Sequence, residues 1–326
     1  MVTAPSLRIV FLGTPAFAVP TLEALLRSPH TVVAAITQPD KPSGRGQKTA
    51  DGPVKACAIA AGVPVLQPAT LKDPACLVQL AALRADIGVV AAYGKILPEA
   101  VIQTPRLGMI NVHASLLPKY RGAAPIQRAV AAGESETGVT IMRVVKALDA
   151  GAMLATVRRP IGANDTAADV ERDLARLGAE LLVATVDRLV LGPVDEPPQD
   201  DSLATYAHRL TKEDGLIDWT RDARAVHDLI RGMHPWPHAY SSIGGKRLIF
   251  LRSDVDESAA GGAPGEVVAA RGDELRIATG HGVIVVREVQ TEGKRPMSVR
   301  DFLAGHALSP GDRFSSLPGA PPAPGA

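Results

Sequence analysis

The sequence is short of cysteine, of net charge and of long apolar runs, and each shortage excludes a class of protein. Its two cysteines among 326 residues, Cys57 and Cys76, form neither a CxxC nor a Cys/His ligand spacing. That argues against a disulfide framework and against a zinc site, and it fits a reducing cytoplasm. Lys and Arg number 35 against 34 Asp and Glu, for a formal net charge of +1. Nucleic acid is therefore not held by a bulk positive field, though a local basic loop can still hold it. No stretch approaches the roughly 18–20 apolar residues of a membrane span, and "MVTAPSLRIVFLG" lacks the basic start and apolar length of a signal peptide. The expected location is the cytoplasm. Some chemical motifs are missing too. "FLGTPAFAVP" has no GxGxxG, "QPDKPSGRGQK" has no GxxxxGK[ST] because Gln47 precedes Lys48, and no Ser or Cys stands in a nucleophile elbow.

What remains is a globular composition, 46% hydrophobic and 21% charged, with length for two cored domains. In the first half, Val- and Ile-rich runs at 7–13, 31–38, 85–94, 108–114 and 137–145 alternate with helix-spaced segments. Continuous apolar runs of this kind suit strands covered on both faces, hence a largely parallel α/β sheet. Residues 165–191 read as one long amphipathic helix with Leu174, Leu177 and Leu181 on its apolar stripe and Gly178 as a weak point. The Pro- and Asp-rich "LGPVDEPPQDDS" marks a linker. Beyond it, a helix near 221–233 precedes the strand-like pieces "HAYSSI", "KRLIFLR", "GEVVAA", "ELRIATG" and "HGVIVVREVQ". A two-residue hairpin is expected at "IGGK" and a closing helix at "SVRDFLAGH". The predicted architecture is a Rossmann-like, largely parallel sheet domain over 1–190, a linker over 191–207, a small OB-like antiparallel β-barrel over 208–315, and a disordered tail over 316–326.

The segment with chemistry in it is "INVHASLLPKYRG", residues 110–122. Sheets of this class place ligands beyond the carboxyl ends of their strands. Asn111 and His113 are two residues apart at such an end, so both side chains point to the same face. Asn offers a neutral donor to a developing oxyanion, and His can accept a proton near neutral pH. Asp149 in "KALDAGAML" is the candidate to orient the imidazole. The trio suggests acyl transfer or hydrolysis by a general base, and with no nucleophile elbow, direct transfer to an external nucleophile is preferred. On pattern alone, a turn Asn, a packed His and an N-cap Asp explain the same residues.

Longer blocks narrow the reading. "FLGTPAFAVPTLEALL", "TQPDKPSGRGQK", "PVLQPATLK", "VVAAYGKILP", "GMINVHASLLPKYRGAAPIQRAVAAGESETGVTIM", "LDAGAML", "TYAHRLTKEDGLIDWT" and "IRGMHPWPHAY" closely resemble the methionyl-tRNA formyltransferase family, over all but the last dozen residues. The resemblance implies catalytic roles for Asn111, His113 and Asp149. It implies that Ser115, Leu116, Leu117 and Pro118 border the folate, with a cis Leu117–Pro118 bond. Gly94, Lys95, Ile96 and Leu97 would form part of the pterin pocket wall, and "KYRG" would lead from the pocket toward the acceptor. The implied donor is 10-formyltetrahydrofolate, the acceptor initiator methionyl-tRNA, and no metal is involved. One departure is Ala16, where many relatives carry Asp.

For tRNA, the resemblance points to the basic segment 38–52, with Lys41, Arg45 and Lys48. The C-terminal barrel contributes Lys246, Arg247, Lys294, Arg295 and Arg300, although residues 208–326 hold 15 basic and 15 acidic side chains, a net of 15 − 15 = 0. Contacts there must come from local patches. Monomer is the default state. The competing readings are a formyltransferase for a small amine such as glycinamide ribonucleotide, a formyltetrahydrofolate hydrolase, and a non-catalytic RNA-binding protein on an inactive core. The basic segment and barrel speak against the first two, and the complete trio against the third.

Overall fold

The computed structural model describes residues 6–40, 42–43, 48–259 and 261–315, with only the backbone described at 42–43 and 48–49. Lys41, Arg45, the side chain of Lys48 and the tail 316–326 lie outside the described residues. Two compact units emerge. The first comprises Met1–Pro125, Glu136–Arg159 and Glu171–Ala207; the second comprises Ile126–Ser135, Pro160–Val170 and His208–Ala326.

In the first unit, seven strands make one sheet: β1 (Arg8–Gly13), β2 (Thr31–Ile36), β3 (Val65–Leu66), β4 (Ile87–Ala91), β5 (Met109–His113), β6 (Glu136–Arg143) and β7 (Met153–Pro160). Their order is β7-β6-β5-β4-β1-β2-β3. Strands β3, β2, β1, β4 and β5 pair in parallel, and β6 runs antiparallel to β5. All five expected runs become strands because their apolar side chains are buried on both faces, as in β4, where every residue is buried. Strand β7 was not expected. Its alternating burial is that of an edge strand, and the charges of "VRRP" mask it in the sequence.

From β1 the chain passes through α1 (Val19–Arg27) to β2, α2 (Pro53–Ala60) and β3. It then returns through α3 (Pro74–Ala82) to β4 on the opposite side of β1. The carboxyl ends of β1 and β4 thus flank the point where strand order reverses, the usual opening for a ligand in such sheets.

The long helix, Ala167–Leu191, is continuous. Its buried stripe differs from the expected one. Leu174, Leu182 and Val186 are fully buried, whereas Leu177 and Leu181 are only partly covered. Gly178 lies on that buried stripe and does not break the helix. A Cβ there would stand 2.9 Å from Val112 Cγ1 and 3.3 Å from Val139 Cγ1, so glycine is what lets the helix approach β5 and β6.

In the second unit, the helix Ala223–Gly232 precedes β8 (Ala239–Ile243), β9 (Lys246–Asp256), β10 (Val267–Arg271), β11 (Glu274–Ala278), β12 (Val283–Thr291) and β13 (Met297–Ser298). The helix Val299–Gly305 follows. The order is β8-β9-β12-β11-β10, antiparallel throughout, with β13 beside β12. Segment 313–315 joins the two edges: Arg313 bridges to Glu266 beside β10, and Ser315 bridges to Ser242 in β8. That closes the barrel. Gly244 and Gly245, with φ of 55° and 73°, supply the left-handed pair that the two-residue hairpin requires. Trp219, Phe250 and Phe314 fill the barrel, their ring centroids 5.5–5.9 Å apart. Trp219 Nε1 donates to Ser241 Oγ at 3.0 Å, which satisfies its buried donor.

Candidate active site

Parallel pairing brings the loops after β1, β4 and β5 to one edge of the sheet. Val90 of β4 pairs with Asn111 of β5, and the loop after β4 is tied to the segments after β1, β2 and β3, the Tyr93 carbonyl accepting from Thr14 Oγ1 and Gln38 Nε2 and Lys95 donating to the Ala69 carbonyl. Across from β5, Asn111 faces Met142 and His113 faces Thr140, and the period of two puts both site residues on one face. Asn111 is half-buried, and its amide makes no hydrogen bond among the described residues. An amide left free at a strand end is available to a ligand.

His113 is 5% exposed and is held from both sides. Its Nε2 lies 3.0 Å from the Tyr120 carbonyl oxygen, which can only accept, so Nε2 carries the proton. Its Nδ1 faces Asp149 Oδ2 at 3.6 Å, near enough for an ion pair and too far for a hydrogen bond. In the charged ring, Nε2–H donates to the Tyr120 carbonyl and Nδ1–H faces the Asp149 carboxylate as an ion pair. The Asp149 carboxylate accepts a hydrogen bond from the Gly122 backbone N–H at 2.9 Å. Thus His113 and Asp149 meet, joined by two backbone groups of residues 120–122 that side-chain patterns cannot reveal, while Asn111 shares the strand face of His113.

Strain is concentrated in the surrounding loops. Ala92, Tyr120 and Asp149, all non-glycine, have φ of 47°, 60° and 46°. Such conformations carry roughly 1–3 kcal/mol each and persist only where the surroundings impose them.

The "SLLP" segment is folded back onto the strands. Ser115 Oγ donates to the Lys119 carbonyl at 2.6 Å, the Leu117 N–H donates to Thr140 Oγ1 at 3.2 Å, and Thr140 Oγ1 donates to the Ser115 carbonyl at 2.8 Å. Ser115 and Leu117 are buried by these contacts, while Leu116 and Pro118 keep accessible surface. The Leu117–Pro118 bond is cis, as the resemblance implied. In the neighbouring loop, Gly94 is exposed, and Lys95 Nζ donates to the Ala69 carbonyl at 3.0 Å. Leu97 is half-buried, and Ile96 is 89% exposed. An aliphatic side chain so exposed in the loop after β4 is surface suited to a flat apolar ring. Tyr93 at the root of this loop is 1% exposed. Its hydroxyl has no partner among the described residues, and burial raises its pKa. Ala16, the departure from the family pattern, lies exposed in a 3-10 turn after β1.

Within "KYRG", Lys119 is exposed but Arg121 is 4% exposed and turned inward. Its Nε and Nη2 donate to Gln199 Oε1 at 3.0 and 2.8 Å, and Nη2 also meets Asp201 Oδ1 at 2.6 Å. Arg121 therefore braces the site instead of leading outward.

In the barrel, Leu248 of β9 pairs with Thr291 of β12. Lys246 and Arg247, just before Leu248, and Lys294 and Arg295, just after Thr291, therefore share one end of it. Lys246, Lys294 and Arg295 are exposed, while Arg247 is half-buried, with its guanidinium carbon 3.7 Å from the Tyr240 ring centroid. Arg300 is exposed, 3.7 Å from Asp273. At "HPWPHAY", Pro237, Ala239 and Tyr240 are buried and Trp236 is 51% exposed.

Among the described residues there is no group of His, Cys, Asp or Glu able to hold a metal, and no helix long and apolar enough to cross a membrane.

Comparison with known proteins fits this geometry. Residues 7–186 match the formyl transferase family and residues 209–307 match the formyl transferase C-terminal domain. The methionyl-tRNA formyltransferase of Citrifermentans bemidjiense is 48% identical over 305 residues, covering 94% of this chain and 95% of that one. The methionyl-tRNA formyltransferase of Methylobacillus flagellatus is 46% identical over 311 residues, covering 95% and 100%. Among solved structures, an N-formyltransferase from Helicobacter canadensis, bound to folinic acid and dTDP-3-aminofucose, is 19% identical with a TM-score of 0.66, covering 86% of this chain and 98% of that one. HypX from Aquifex aeolicus in complex with tetrahydrofolic acid is 18% identical with a TM-score of 0.62, covering 91% of this chain. This chain spans about half of HypX, 47% of its length. At such identities the two structures attest the fold alone. The relatives that match nearly end to end establish that the chain belongs to the methionyl-tRNA formyltransferase family.

Proposed function

We propose that the chain transfers the formyl group of 10-formyltetrahydrofolate to the α-amino group of methionine esterified to initiator tRNA. Relatives of that name at 46–48% identity support the reaction, and the added C-terminal barrel supports a large acceptor. One observation carries the chemistry: the free amide of Asn111 stands two residues from an imidazole backed by a carboxylate.

The folate supplies an activated formyl group. Leu116, Pro118, Gly94, Ile96 and Leu97 are the surfaces available to hold it, with Ser115, Leu117 and Lys95 anchoring their loops. Asn111 gives a neutral N–H donor to the oxygen that gains negative charge as the amine adds. His113 Nδ1 receives the amine proton, because Nε2 is committed as a donor to the Tyr120 carbonyl. Asp149 balances the imidazolium, and the Tyr120 carbonyl keeps the ring in place. The same proton then serves the departing nitrogen.

For tRNA, the cationic cluster of Lys246, Arg247, Lys294 and Arg295 and the basic segment with Lys41, Arg45 and Lys48 are the phosphate-binding candidates, giving affinity without reading sequence. The enzyme is proposed to work as a monomer in the cytoplasm, where charged initiator tRNA is used.

The test is a single-turnover assay with 10-formyltetrahydrofolate that offers methionyl initiator tRNA, glycinamide ribonucleotide or water as acceptor. Rapid transfer confined to the charged tRNA is the expected result. Preference for the small amine or for water would overturn the acceptor assignment.

A further inference from the structure

We propose that Gln199 is a positioning residue for formyl transfer, holding the loop of Asp149 against the Arg121–Gly122 arm so that Asp149 stays aligned on His113. The proposal rests on the catalytic reading of His113 and Asp149 given above. Gln199 lies in the Pro- and Asp-rich segment expected to be a solvated linker, yet its side-chain amide is engaged at both ends. Its Nε2 donates to the carbonyl oxygens of Asp149 and Gly151, each at 2.8 Å. Its Oε1 accepts from Arg121 Nε at 3.0 Å and from Nη2 at 2.8 Å. Two donors and two lone pairs are all that a carboxamide has, so every one of its hydrogen-bonding positions is used.

The two things it joins are the two walls of the His113 site. One is the 149–151 loop. Gly151 presses it so close to β6 that a Cβ there would sit 1.8 Å from the Arg143 carbonyl oxygen. The other is the 120–122 arm, whose Tyr120 carbonyl fixes His113 Nε2 and whose Gly122 N–H fixes Asp149 Oδ2. This arm is itself secured by parallel pairing of Arg121–Gly122 with Tyr206–Ala207.

Asp149 needs such a hold. Its φ of 46° is a left-handed conformation that a non-glycine residue adopts only under constraint. Its carboxylate is 3.6 Å from His113 Nδ1, so a small drift of the loop separates the pair. Gln199 grips the backbone carbonyl of that same strained residue. Glu196 and Pro197 tie the segment down nearby, through Arg143 Nη2 at 2.5 Å and the Met153 N–H at 3.0 Å, and among the described residues neither is hydrogen-bonded to Asp149.

The experiment is a double-mutant cycle on the full-length chain, with kcat and KM for methionyl-tRNA and for the folate. Gln199→Met keeps the side-chain length and removes all four hydrogen bonds. Misplacement approaching 1 Å lowers rates by up to about 100-fold, so kcat should fall about 10- to 100-fold with both KM values within about twofold. In an Asp149→Asn background the same substitution should lower kcat by no more than about twofold, since its effect passes through Asp149. If Gln199→Met unfolds, Gln199→Glu replaces it, keeping an acceptor for Arg121 while losing the donors to Asp149 and Gly151; the same kcat loss is expected.

Full kcat in a folded Gln199 variant, or an equal loss with and without Asp149, overturns the proposal while leaving the catalytic reading intact. Full kcat in Asp149→Asn overturns that reading, and the proposal falls with it.

Discussion

Replacing Gly178 with alanine tests the packing behind the site. Helix propensity alone says the change should stabilise by about 1 kcal/mol, because alanine is the better residue in a helix interior. The structure says otherwise. The new methyl would lie 2.9 Å from Val112 Cγ1 and 3.3–3.4 Å from the two methyls of Val139, where carbon atoms prefer about 3.5–4.0 Å. Val112 is 3% exposed and Val139 fully buried, and a β-branched side chain in a packed strand has little freedom to turn away. Overpacking of this kind destabilises by about 1–3 kcal/mol, so the net effect is a loss of about 0–2 kcal/mol. In a unit of this size that lowers Tm by a few degrees. Val112 sits between Asn111 and His113, so relief by strand movement also displaces the site, and kcat should fall about tenfold. Thermal denaturation and steady-state kinetics on the purified variant read both quantities. A variant more stable than the parent with undiminished kcat would refute the argument, because propensity would then have prevailed over contact.

Three further outcomes follow from other parts of the molecule. Burial lowers the pKa of His227, His234 and His238, all in the second unit, below the ordinary 6.5. The unfolded chain therefore binds more protons than the folded one below about pH 6.5, and stability should fall as pH drops from there, with no contribution from these groups at pH 8. Tm measured from pH 8 to 5 should decline on the acid side, and His227→Gln should flatten that decline; a flat profile in the parent contradicts it. Combined alanine substitution of Lys246, Lys294 and Arg295 should weaken tRNA binding and reduce the slope of log K against log salt by up to about 0.9 per lost phosphate contact. An unchanged slope would move the tRNA surface elsewhere. By contrast, Asp273→Ala, which removes only the neighbour of Arg300 at 3.7 Å between two well-exposed side chains, should leave stability within about 0.5 kcal/mol.

The sequence was most legible where one residue's periodicity decided the matter. Buried strands of Val and Ile declared themselves, the glycine pair 244–245 declared its hairpin, and the spacing of Asn111 and His113 put them on one face. Failures came where neighbours in space decided. Gly178 reads as a flaw in a helix until Val112 is seen beneath it. Strand β7 hides behind Arg158 and Arg159, which an edge position tolerates. Within "KYRG", nothing in the sequence marks Arg121 as buried, and only its contacts with Gln199 and Asp201 show it turned inward. Gln199 itself is set among Pro197, Pro198, Asp200 and Asp201, a composition that reads as solvated linker. The carbonyl of Tyr120 and the N–H of Gly122 have no side-chain signature at all, since any residue there supplies the same groups.

The most direct test of the account is the single-turnover rate of formyl transfer to methionyl-tRNA by Asn111→Ala. If the free amide stabilises the developing oxyanion, the rate falls on the order of 100- to 1000-fold with substrate binding nearly unchanged. A rate within a few fold of the parent would contradict the placement of the reaction at the end of β5.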